Sequence, residues 1–269
     1  MAVLGGKGAG AAPLILLGCG KMGGALLQGW LASGLRPGDV TVVDPYPSDG
    51  LRETGVTINP ETLGPARFAV VAVKPQMIRD AAPTLGTLAG SKTVFLSVAA
   101  GTGISAFEEM YGAKTPVIRA MPNTPSAIGQ GISALIGNQA ASDEDMEIAE
   151  ALMATVGKTV RLDTESQMDA VTGLSGSGPA YVFHLIEAMA RAGVSQGLPP
   201  DLSMNLAKST VCGAGMLASA SGDSVEQLRI NVTSPAGTTA AGLDVLMAEL
   251  PELMRRTVAA ATERSRELG

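Results

Sequence analysis

Apolar residues come in short unbroken blocks through about the first 165 residues of the chain. Residues 14–17, 40–43, 68–73, 93–98, 116–120 and 131–136 are apolar almost throughout, with little alternation. Strands of a parallel sheet have this texture when helices cover both of its faces. Intervening segments such as 22–33 and 77–88 suit crossover helices. Ser142-Asp143-Glu144-Asp145 predicts a helix start with an N-cap and a negative first turn, and Gly157 is read as its close. Alternating strands and helices predict an α/β fold, a doubly wound sheet of Rossmann type.

Beyond about Asp163 the strand-like blocks stop and helical spacing takes over. Val182, Leu185, Ile186 and Met189 fall at i, i+3, i+4 and i+7, as do Leu243, Leu246, Met247 and Leu250. Gly197-Leu198-Pro199-Pro200-Asp201 reads as a break followed by an Asp N-cap. Residues 205–221, rich in Ala, Gly and Ser, suit close helix–helix approach. A boundary near residue 164 is expected, with a dinucleotide-binding sheet domain at 1–164 and an all-helical domain at 165–269.

Composition narrows the class. With 46% hydrophobic and 16% charged residues in a chain of 269, a folded core is expected rather than disorder. The net charge of −6 and a pI near 4.9 argue against a nucleic-acid surface. Cys19, Cys212 and His184 are too few for a disulfide framework or a zinc site, so no metal is expected, and a reduced, cytoplasmic compartment is the default. Residues 1–12 read as a loose tail leading into the first strand rather than a signal peptide. The uncharged run 120–142 is broken by prolines and glycines, so no membrane partner is expected.

Glycine is the outlier, at 34 residues of 269 against an average of about 7%. Gly18-Cys19-Gly20-Lys21-Met22-Gly23 follows the first strand and opens the first helix. Glycines there allow a tight turn, close backbone approach to a pyrophosphate and helix–strand packing. Asp44 ends the second strand where a ribose-binding carboxylate belongs. Ala72-Val73-Lys74-Pro75, Ala99-Ala100 and Met121-Pro122-Asn123 sit at the carboxyl ends of later strands, where open α/β sheets bind ligands. Lys74 and Asn123 are placed to meet a nicotinamide ribose or amide. In the helical part, Gly173-Leu174-Ser175-Gly176-Ser177-Gly178-Pro179 leads into a helix. Asn231-Val232-Thr233-Ser234-Pro235-Ala236-Gly237-Thr238-Thr239 crowds hydroxyls at the start of another, a good setting for a carboxylate.

With these motifs the chain resembles pyrroline-5-carboxylate reductases along nearly its whole length: GCGKMG, AVKPQ, VIRAMPNTP, GLSGSGPAYVF and, most specifically, LRINVTSPAGTT. Ala236 stands where a second glycine is common. The resemblance implies reduction of the cyclic imine 1-pyrroline-5-carboxylate to L-proline by NADPH or NADH. It implies that Thr239 hydrogen-bonds the ring nitrogen while Ser234, Gly237 and Thr238 hold the carboxylate. It further implies a homodimer or multiple of dimers, with sites built between one chain's cofactor domain and its partner's helices.

The chemistry agrees with the residues. A protonated imine accepts hydride without a strong base or a metal, so the protein need only hold two rings face to face, anchor a carboxylate and place a hydroxyl. A related hydroxy-acid dehydrogenase would want a Lys or His base, and none precedes Lys208 in the helix after GSGP apart from His184. A non-catalytic dinucleotide-sensing regulator would not need the hydroxyl loop. Asp44 favours NADH and repels a 2′-phosphate, while Arg52 or Asn59 could offset that repulsion, so the nucleotide preference stays open at this point.

Overall fold

The computed structural model describes residues 13–268. The tail expected over residues 1–12 lies outside them. The chain divides into two compact units, residues 178–260 and the remainder, with 261–269 returning to the first.

The first unit is built around an eight-stranded sheet in the order β3-β2-β1-β4-β5-β6-β7-β8. In chain order its elements are β1 (Leu14–Leu17), α1 (Lys21–Ala32), β2 (Val40–Val43), α2 (Asp49–Arg52), β3 (Thr57–Ile58), β4 (Phe68–Val71) and α3 (Ile78–Ala81). There follow β5 (Val94–Ser97), α4 (Ile104–Tyr111), β6 (Val117–Met121), β7 (Gly131–Gly137), α5 (Asp143–Ala154), β8 (Gly157–Arg161) and α6 (Met168–Val171). β1 pairs in parallel with both β2 and β4, so the strand order reverses there and opens the crevice in which such sheets bind ligands.

The unbroken apolar blocks are explained by burial on both faces. Along β1, Leu14 and Leu16 join one core with Leu26, Leu27 and Trp30 of α1, while Ile15 and Leu17 join the other with Phe107 and Tyr111 of α4. Trp30 donates its indole N–H to the Leu152 carbonyl at 3.0 Å, tying α1 to α5 on the first face.

Three local expectations are corrected here. Residues 77–88 form only the four-residue α3 between 3₁₀ turns, because Pro75, Pro83 and Gly86 interrupt the helical ladder. α5 ends at Ala154, and Gly157, at φ +153, opens β8 instead of closing the helix. A Cβ there would lie 2.0 Å from the Gly131 carbonyl oxygen, so only glycine lets the two strands pair. The sheet is also not wholly parallel, since β7 runs antiparallel to β6 after a 3₁₀ turn at Thr124–Ile128. That connection is too short for a crossover helix.

The second unit holds α7 (Gly178–Ser195), α8 (Pro200–Ala220), α9 (Val225–Asn231) and the greater part of α10 (Thr238–Leu268). The N-cap of α8 is Pro199, and Asp201 lies inside the first turn, where its charge favours the helix N-terminus, rather than at the cap. α7 and α8 meet where Ser203 donates its hydroxyl to the Ala190 carbonyl at 2.7 Å beside Gly193, which has no room for a side chain. Phe183, Met216, Leu217, Val225 and Val245 are more than half exposed. Apolar surface exposed to this extent marks an interaction face.

Candidate active site

The loop between β1 and α1 has the geometry of a phosphate cradle. Gly18 has φ +89, and a Cβ on it would press 2.8 Å from Val73 Cγ1. A Cβ on Gly23 would fall 2.2 Å from the Gly18 carbonyl oxygen, so this glycine brings helix and strand together. Gly20 is different: a Cβ there meets nothing within 4 Å, so packing does not require glycine and the backbone stays open to a ligand. Gly20 is also the N-cap of α1 and offers no side chain to its first turn, so the amides of Lys21, Met22 and Gly23 are left for an anion. These residues fit a pyrophosphate.

At the end of β2, both oxygens of Asp44 are engaged from the protein side. Oδ2 accepts the Cys19 N–H at 2.6 Å, and Oδ1 accepts the Tyr46 N–H at 2.7 Å. Asn59, at φ +47, clamps the Asp44 backbone: its Oδ1 accepts the Asp44 N–H at 2.9 Å and its Nδ2 donates to the Asp44 carbonyl at 2.7 Å. Burial, and after it the Asp44 carboxylate, push the Cys19 thiol up from its ordinary value, which disfavours the thiolate.

The other strand-end loops lie along the same edge. Ala72 donates its N–H to the Leu17 carbonyl, next to the glycine loop, and Val73 packs on Gly18. Lys74 is exposed and precedes the 3₁₀ turn at Pro75, leaving its ammonium available to a ligand. Ala99 is buried and Ala100 half-buried after β5. A cavity of about 580 Å³ opens here, lined in part by Pro75, Gln76, Ala100 and Gly101. Met121 ends β6, and a Cβ on Gly176 would lie 2.5 Å from its terminal methyl. Pro122 is buried. The Asn123 side chain is spent within the protein: Oδ1 accepts the Ile132 N–H at 3.1 Å, and Nδ2 reaches Ser175 Oγ at 3.3 Å. Asn123 thus latches the turn after β6 to the π-helical segment Thr172–Gly176.

Sequence reasoning missed Arg119 and Glu165. Arg119 on β6 pairs with Glu165 at 2.5 Å, and the same Glu165 oxygen accepts the Ile104 N–H at 2.8 Å. An arginine inside the apolar run Val117–Met121 was the available signal, because a charge in a buried strand needs a partner.

The hydroxyl loop belongs to the second unit. Gly237 donates its N–H to the Ser234 carbonyl at 3.0 Å and accepts the Ala241 N–H, which makes it the N-cap of α10. A Cβ on Gly237 would sit 2.4 Å from Ser234 Oγ, so this turn requires glycine. Ala236 takes φ +55, a left-handed conformation usually left to glycine. Thr238 and Thr239 occupy the first helical positions, exposed. Among the described residues the hydroxyls of Ser234, Thr238 and Thr239 make no hydrogen bond to the protein, unlike Thr233, which donates to the Arg229 carbonyl at 2.6 Å.

Comparison with known proteins matches both parts of the chain. A family model for pyrroline-5-carboxylate reductase dimerisation matches residues 165–268, and one for F420-dependent NADP oxidoreductases matches residues 14–101. The chain is 38% identical over 259 residues to a pyrroline-5-carboxylate reductase of Pisum sativum, with 94% of each chain covered. A solved pyrroline-5-carboxylate reductase of Coxiella burnetii superposes with a TM-score of 0.90 at 32% identity, covering 96% of this chain and 98% of that one. The pyrroline carboxylate reductase of Plasmodium falciparum, solved with NADP bound, gives a TM-score of 0.82 at 29% identity, with 97% and 100% covered.

Proposed function

Since the chain belongs to the pyrroline-5-carboxylate reductase family, we propose that it reduces 1-pyrroline-5-carboxylate to L-proline with NADPH or NADH, the last step of proline synthesis. The observation that carries this reading is the pair of hydroxyls, Thr238 and Thr239, that make no hydrogen bond among the described residues, at a helix start whose N-cap, Gly237, has no side chain, beside Ser234.

The glycine loop and the first turn of α1 bind the pyrophosphate through backbone amides. Lys74 and the loops at Ala72–Val73, Ala99–Ala100 and Met121–Pro122 bound the nicotinamide end. When bound, the reduced nicotinamide supplies the hydride. Ser234, the Gly237 amide and Thr238 hold the substrate carboxylate at the N-terminus of α10, where the helix dipole favours negative charge. Thr239 hydrogen-bonds the ring nitrogen, its oxygen accepting the N–H of the protonated imine and its hydroxyl donating to the lone pair that forms as the imine carbon takes the hydride and the nitrogen becomes the amine of proline. Holding both partners in place is the main task, because the protonated imine is already electrophilic.

The hydroxyl loop and the nucleotide loop lie in separate units of the chain. In our reading two subunits complete each site, the partner's helical unit covering the apolar surface of this one in a homodimer or a multiple of dimers. The two free thiols suit a reducing, cytoplasmic compartment. The test is the imine-dependent loss of reduced-nicotinamide absorbance with stoichiometric appearance of proline. Nucleotide oxidation without proline, or none at all, would overturn the assignment. Sedimentation showing a fully active monomer would overturn the shared site.

A further inference from the structure

The hydrogen bonds around Asp44 bear on which nucleotide this chain takes. Its carboxylate is tethered to the glycine loop through the Cys19 N–H and to its own turn through the Tyr46 N–H, while Asn59 grips its backbone at both the N–H and the carbonyl. A carboxylate held at both oxygens on a backbone that is itself clamped at two points does not swing away to admit a new group. Each carboxylate oxygen uses one lone pair on a backbone amide and keeps another. A ribose next to the pyrophosphate loop therefore meets a rigid pair of acceptors, which suits two hydroxyl donors. A 2′-phosphate meets the same acceptors with like charge.

The rest of the turn gives a phosphate no relief. Residues 45–51 contain no lysine or arginine but a second acid, Asp49. The Ser48 hydroxyl caps α2 by accepting the Leu51 N–H at 3.2 Å, and as a neutral group it brings no charge to offset that of Asp44. Asn59 places one amide hydrogen on the Asp44 carbonyl and is likewise neutral. Arg52 is the first cation after Asp44, exposed at the far end of α2.

We infer that Asp44, fixed by Cys19, Tyr46 and Asn59, makes this enzyme select the unphosphorylated adenosine ribose, so that it binds NADH in preference to NADPH. The inference rests on the dinucleotide site proposed above, and it sets this chain apart from the relative solved with NADP bound.

Calorimetry on the purified full-length protein tests it without turnover, using AMP against adenosine 2′,5′-bisphosphate and NADH against NADPH. A phosphate dianion held near a carboxylate at a protein surface loses about tenfold to a hundredfold in affinity, and a preference for the unphosphorylated member of each pair in that range is expected. Asp44→Ser and Asp44→Asn remove the charge and should bring the two members to within about threefold, with Arg52→Ala leaving the wild-type ratio unchanged. Equal or tighter binding of the 2′-phosphorylated compounds by the wild-type protein would overturn the inference. So would an unmoved ratio in both Asp44 variants, or a ratio that depends on Arg52. If none of the four compounds binds, the dinucleotide reading itself fails, a result distinct from mere loss of preference.

Discussion

One oxygen of Glu165 lies 2.5 Å from Nη1 of Arg119 and 2.8 Å from the backbone nitrogen of Ile104. Arg119 stands two residues before the end of β6, and Ile104 opens α4 directly after the loop that follows β5. A single carboxylate therefore joins the end of β6 to the start of α4, next to two of the loops proposed above to bound the nicotinamide end. It comes from the 3₁₀ turn Glu165–Gln167, which follows β8.

Glu165→Gln should loosen that junction. The Arg119 side chain is only 11% exposed and would lose its counter-charge, at a cost of about 1–3 kcal/mol in urea unfolding. Because the two loops are set by the same oxygen, dinucleotide affinity should fall several-fold while kcat at saturation changes little. Glu165→Asp, which keeps the charge, should recover part of both. Unchanged affinity in the Gln variant would show that the junction is structural alone.

Thr239→Val should slow turnover without weakening the fold. A donor aimed at a reacting nitrogen in a closed site is worth more than an ordinary hydrogen bond of about 0.5–1.5 kcal/mol, so kcat should drop roughly tenfold to a few hundredfold, with little change in nucleotide KM. Gly237 is the cap of α10 and the Thr239 hydroxyl bonds nothing among the described residues, so stability should stay within about 0.5 kcal/mol. Thr239→Ser should retain much of the rate. A Val variant with full activity would remove Thr239 from the reaction.

Asp145 governs part of the acid stability. Burial alone would raise its carboxyl, but the Ser142 amide and hydroxyl and the Arg67 guanidinium outweigh that and hold it below the ordinary value. A carboxylate with a lowered folded pKa contributes its full stability above the unfolded value, about 3.9, and loses it as the pH falls through the folded one. Asp145→Asn should thus cost about 1–3 kcal/mol near neutrality, and the gap to wild type should close below about pH 4. A gap that persists undiminished in acid would assign the loss to packing.

Ala236 sits in a left-handed turn position at φ +55. Ala236→Gly relieves about 1–2 kcal/mol of backbone strain but adds unfolded-state entropy of similar size, so the net change should stay within about 1 kcal/mol. Ala236→Val, branched at Cβ, should cost more than that and lower the melting temperature by several degrees. A Val variant that melts with wild type would mean that the turn relaxes in solution.

The sequence by itself determined the sheet and the glycine turn that opens α1. Apolar blocks buried on both faces, glycines at Gly18 and Gly23 and an acid closing β2 are short-range signals, each readable within a few residues. The start of α10 at Thr238 was legible in the same way. Tertiary structure decided what those residues do with their hydrogen bonds. Asn123 had the look of a ligand group, yet its amide joins Ile132 to Ser175, partners 9 and 52 residues away. Asp44 stood clear as a ribose acid, but its tether to Cys19 and the Asn59 clamp depend on the pairing of β1, β2 and β3. The antiparallel turn of β7, the Glu165–Arg119 junction and the return of residues 261–268 to the first unit, where Ser265 bonds Asp169 at 2.7 Å, have the same origin. A local pattern records which face of an element is buried. The partner of a polar group across dozens of residues is chosen only when the chain closes on itself, because a buried hydrogen bond is worth making only where desolvation would otherwise leave both groups unsatisfied.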